Sequence, residues 1–75
     1  MKRKIQITYM SHRGMGGHEN IYPEQHWILF SELGASDFVG AIRIVRAEGF
    51  FREYGSGVKV YVPPTAILEM KEVSS

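Results

Sequence analysis

Between Lys4 and Met10 the sequence alternates without a break, with Ile5, Ile7 and Tyr9 on one parity and Lys4, Gln6 and Thr8 on the other. A period of two in β-favouring residues marks a strand with one buried face, and it commits the start of the chain to a sheet. Gly14, Gly16 and Gly17 end the pattern. The loop they open is expected to run through residues 20–23, long for a chain of 75 residues and therefore a candidate functional loop. A second firm feature lies later, where residues 50–54 and 58–62 flank Gly55-Ser56-Gly57. Glycines in so short a connection supply positive φ, which predicts a β-hairpin.

The segments between these two are ambiguous. Residues 26–33 read either as a strand buried on both faces or as a short helix with Pro23 at its first turn, Glu24 favouring its positive end and Gly34 as its stop. Residues 38–46 pose the same choice. At helical spacing Phe38, Ala41, Ile42 and Val45 share one side, whereas Val39, Ile42, Ile44 and Val45 are β-branched and Gly40 costs a helix interior about 1 kcal/mol. The strand reading is preferred for residues 38–46. Pro63-Pro64-Thr65 cannot continue a ladder, and residues 67–73 alternate as a closing edge strand would.

A strand, a proline-rich turn and a last strand resemble in layout the ends of SH3-like and Sm-like barrels. The expected fold is therefore mainly β, a small SH3-like or Sm-like barrel of five to six strands formed by residues 1–75 as one domain, with residues 1–4 as a mobile basic terminus. An alternative is carried by Leu33-Gly34-Ala35-Ser36, Ala41-Ile42-Arg43, residues 47–51 and Gly55-Ser56-Gly57-Val58. Over residues 33–62 these resemble the turn, recognition helix and wing of winged helix-turn-helix repressors, which implies an α+β fold and DNA binding.

Composition narrows the function classes. With 44% apolar and 12% aromatic residues the chain has the makings of a core, although one so small that self-association is a reasonable source of further stability. Cys 0 excludes disulfides, thiolate chemistry and cysteine-held zinc, and a reducing cytoplasm is the expected location. The basic start runs straight into Gln6, Thr8 and Ser11-His12-Arg13, unlike a secretory signal, and the longest apolar run covers residues 27–30, far short of the roughly 20 that span a membrane. Net charge is only +1, but its sign is segregated: residues 1–18 hold Lys2, Arg3, Lys4 and Arg13 and no acid, whereas residues 19–37 hold Glu19, Glu24, Glu32 and Asp37 and no base. Separated charge of this kind suits a phosphate backbone, an acidic protein or a second copy of the chain.

Catalysis and metal binding find little support. His12, His18 and His26 with Glu19 and Glu24 supply donors, but at spacings that match no ligand pattern, and Ser11 and His12 point to opposite sides of a strand. No catalytic residue, metal or cofactor is assigned. The stronger set is Phe51, Arg52, Tyr54, Lys59 and Tyr61, joined by Arg13, Arg43 and Arg46, because exposed rings stack on bases while cations pair with phosphates. Arg52 and Lys59 are expected to face solvent together across the hairpin. The expected function is thus a non-enzymatic module that binds nucleic acid through a basic and aromatic sheet face. The alternative is a protein-interaction module that docks through its acidic segment, Glu19 and Glu24 foremost, or through a sheet edge.

Overall fold

A computed structural model describes residues 2–15, 18–55 and 57–74, with the backbone alone described at 12–15 and 18–21. The expected alternation at the start of the chain becomes β1 (Arg3–Met15), which pairs antiparallel with β2 (His18–Leu29) from Lys4↔Leu29 to Met15↔His18. The glycine-rich stretch therefore does not open a long loop. β2 begins at His18, because the pairing runs on as far as Met15↔His18 and takes up the segment expected to be irregular.

A helical turn α1 (Phe30–Leu33) closes on Gly34, whose φ of 74° lies in the left-handed region that ends helices. Then comes α2 (Phe38–Glu48), which overturns the strand reading of residues 38–46. The Asp37 side chain caps it by accepting the Gly40 amide at 2.7 Å, and Ala41 and Val45 are buried with Phe38 and Ile42 packed beside them. One apolar stripe at helical spacing, capped at its start and stopped by Gly49, outweighs the four β-branched side chains and Gly40.

The hairpin forms as expected, β3 (Phe50–Glu53) pairing with β4 (Lys59–Val62). Pro64–Ala66 make a single 3₁₀ turn, and β5 (Ile67–Ser74) closes against β1 with a bulge between Thr8 and Tyr9. The fold is mainly β, but its strands form two sheets, β2-β1-β5 and β3-β4, and no closed barrel is found. The expected barrel is therefore not seen among the described residues, where α2 stands in place of a strand expected at residues 38–46. Helix α2 and the β3–β4 hairpin do follow one another in the order that the winged-helix resemblance implies, yet residues 3–15 and 18–29 are two long strands.

The core lies on one face of the larger sheet. Ile5, Ile7, Tyr9 and Ile28 point inward there, against Phe30, Ala41, Val45, Phe50 and Val62. The opposite face carries the alternate residues: Lys4, Gln6 and Thr8 on β1, Trp27 and Gln25 on β2, Lys71 and Glu69 on β5. β5 stops pairing at Tyr9, so beyond it β1 and β2 continue as a two-stranded ribbon. The thirteen residues of β1, at about 3.3 Å each, account for the 42 Å length of a molecule only 24 and 19 Å across. Among the described residues no helix is long and apolar enough to cross a membrane.

Candidate functional site

The hairpin β3–β4 has two chemically different faces. Alternation sends Phe50, Arg52 and Tyr54 toward the larger sheet, where Phe50 meets the Tyr9 ring edge-on at 5.2 Å and stacks on the His26 ring at 5.6 Å and 12°. Around that contact the polar groups close on one another. Glu24 accepts the hydroxyls of Tyr9 at 2.9 Å and Tyr54 at 3.1 Å. Arg52 Nη1 lies 2.7 Å from His26 Nδ1 and 3.3 Å from the Gln25 carbonyl, and the guanidinium lies over the Tyr54 ring.

These partners fix a protonation state. A guanidinium has only donors, so His26 Nδ1 must accept and the ring carries its proton on Nε2. Burial pushes the His26 pKa down, the neighbouring Arg52 charge pushes it further the same way, and Glu32 opposes them. The Tyr9 hydroxyl is pushed well up, first by burial and then by its hydrogen bonds to Tyr54 and Glu24, with Arg52 acting in the opposite sense. Arg52 Nε is buried without a partner, an unmet donor of the kind that costs on the order of 1–3 kcal/mol. The cluster joins β1, β2 and the hairpin as a neutral-histidine latch.

The outward face of the hairpin is open. Phe51 stands opposite Tyr61 with ring centres 5.3 Å apart, the two being 66% and 47% exposed, and Glu53 stands opposite Lys59. The Tyr61 hydroxyl donates to the Glu48 carbonyl at 2.6 Å, tying this face to the last turn of α2, which also carries Arg46. Gly49 makes that close approach feasible: its φ is 71°, and a Cβ there would stand 2.8 Å from the Tyr61 hydroxyl and would collide with the Val62 carbonyl. Arg43 and Arg46, three residues apart, lie exposed on one side of α2 together with Val39.

The residues singled out from sequence therefore divide. Phe51, Tyr61 and Lys59 share the outward face, whereas Arg43 and Arg46 lie on α2, where Arg46 borders a groove with Pro64, Ile67 and Leu68. Arg52 and Tyr54 lie half-buried in the latch. The expectation that Arg52 and Lys59 face solvent together fails, because Arg52 pairs with Val60 and Glu53 pairs with Lys59, which puts the two cations on opposite faces. Glu24 belongs to the latch. The side chains of Arg13, Glu19, His12 and His18 lie outside the described residues, and among those described no group of three His, Asp or Glu side chains converges.

Sequence reasoning passed over Trp27, 49% exposed on the open face of the larger sheet. The signal was present: Trp27 and Ile28 are adjacent, so in a strand one of them must face away from the core. Comparison with protein-family models, with curated proteins and with solved structures yields no match for this chain.

Proposed function

We propose that this chain is a non-catalytic binding module, in keeping with its lack of cysteine set in a reducing cytoplasm, and that its ligand is nucleic acid in single-stranded form. The observation that carries the reading is the exposed cross-strand pair Phe51–Tyr61 with Lys59 two residues along the same face. Two uncovered rings offer stacking platforms that any base can use, each worth about 1–3 kcal/mol per base. Lys59, with Arg43 and Arg46 on α2, supplies charge for phosphates, and Tyr61 anchored on Glu48 keeps its ring from collapsing onto the surface. Arg52 and Tyr54 contribute indirectly by holding the hairpin against β2.

Phe51→Ala is expected to weaken binding of a labelled pyrimidine oligonucleotide about tenfold or more without unfolding the protein. Lys59→Glu should lower affinity at about 50 mM salt and flatten the salt dependence by roughly one unit of slope. Fluorescence anisotropy at about 50 and 200 mM salt reads both effects, and an affinity that neither variant changes removes the nucleic-acid reading.

A protein-interaction role is favoured by one observation, the exposure of Val60 on β4 and Leu68 on β5, whose outer edges are unpaired among the described residues, with exposed Val58 just before β4. Docking through Glu24 would first have to break its bonds to two tyrosines, so the sheet edge is the stronger form of that reading. Val60→Lys should then abolish partner capture while leaving oligonucleotide affinity unchanged.

A further inference from the structure

The open face of the three-stranded sheet is ordered by register into rows that run across all three strands. Trp27, Gln6 and Lys71 form one row, and Gln25, Thr8 and Glu69 form the next. None of these residues belongs to the buried core. Lys4 lies one row further on, and Lys2 is exposed just before β1. Three cations thus gather where, among the described side chains of this face, Glu69 is the one acid, although residues 5–75 carry more acids than bases. Glu69 holds Lys71 at 3.2 Å in a pair that is well exposed, and such pairs contribute so little that a phosphate can displace the carboxylate.

We propose that this face is a second binding surface, whose ligand is a single-stranded nucleic acid laid across the strands with a base stacked on Trp27. The inference takes its ligand class from the reading above but none of its residues. Trp27 supplies the largest aromatic face in the chain, half of it in water. Directly opposite stands Gln6 and diagonally opposite Thr8, whose amide and hydroxyl offer donors and acceptors to a base edge. Lys2, Lys4 and Lys71 give the charge complementarity that a polyanion needs and that an acidic or apolar partner would not use in the same way.

Trp27 is the sole tryptophan, so its fluorescence reports this face alone. The intact chain is titrated with a 15-nucleotide oligothymidine and, separately, an oligouridine at about 50 and 200 mM salt. Saturable quenching that weakens at the higher salt is expected with at least one of them. Lys4→Glu should shift its midpoint about tenfold or more, and Phe51→Ala should leave it within about twofold. Absence of quenching by both oligonucleotides overturns the proposal, as does quenching that Lys4→Glu leaves untouched. So does a Trp27 signal that follows protein concentration alongside dimerisation in sedimentation, since a second copy would then cover the face. Because the hairpin reading is judged by the Phe51 variant in anisotropy and this one by Trp27 emission, each can fail without the other.

Discussion

Phe50 and Phe51 are neighbours in sequence with opposite fates. Phe50, 5% exposed, is wedged between the Tyr9 and His26 rings, whereas Phe51, 66% exposed, touches only Tyr61 across the hairpin among the ring contacts described. The same division runs along the hairpin. Arg52 turns in toward His26 while Glu53 and Lys59 turn out. Residue type therefore does not decide which aromatic or cation serves as structure and which is left for a ligand. Strand parity decides it, and parity is set by the neighbours that need burying.

Truncating each phenylalanine separates the two faces by the largest margin. Phe50→Ala should destabilise the protein by about 3–5 kcal/mol, a core-cavity cost, whereas Phe51→Ala should stay within about 0.5 kcal/mol. Urea unfolding of both variants checks the contrast, and equal losses would mean that the two faces are not distinct. Gly49→Ala comes next. It forces a left-handed φ on an alanine and drives its Cβ into the Val62 carbonyl, so a loss of about 2–3 kcal/mol is expected in the same assay, with the helix and the hairpin no longer held together through Tyr61.

The smallest effect sharpens the inward face. His26 is held neutral in the folded state with its pKa below the unfolded value of about 6.5, so the unfolded chain binds the extra proton. Stability is then complete above about pH 6.5 and falls as pH drops toward the folded pKa, by no more than about 1.4 kcal/mol per unit. His26→Gln keeps an acceptor for Arg52 and should flatten the profile of melting temperature between pH 7.5 and 5. A slope that survives this change assigns the acid sensitivity to other groups.

Much of the sheet was legible. The alternation of Ile5, Ile7 and Tyr9 announced β1, the Gly55-Ser56-Gly57 connection announced the hairpin, and the tail after the prolines closes as a strand. The segment at residues 38–48 was not, because local preference and periodicity disagree there. Val39, Ile44 and Gly40 argue for a strand, and only the Asp37 cap with burial of Ala41 and Val45 decides for a helix. The candidate site was legible in kind but not in arrangement. Rings and cations can be counted in a sequence, but whether Arg52 faces Lys59 or His26 depends on a register fixed by contacts between distant strands.

The ribbon that β1 and β2 make beyond the three-stranded sheet leaves the body beside the pair Tyr9↔Glu24. Glu24 is also the residue to which the Tyr54 hydroxyl donates from the hairpin. The root of the ribbon is thus shared with the hairpin, because one carboxylate, Glu24, accepts the hydroxyls of both Tyr9 on β1 and Tyr54 just after β3.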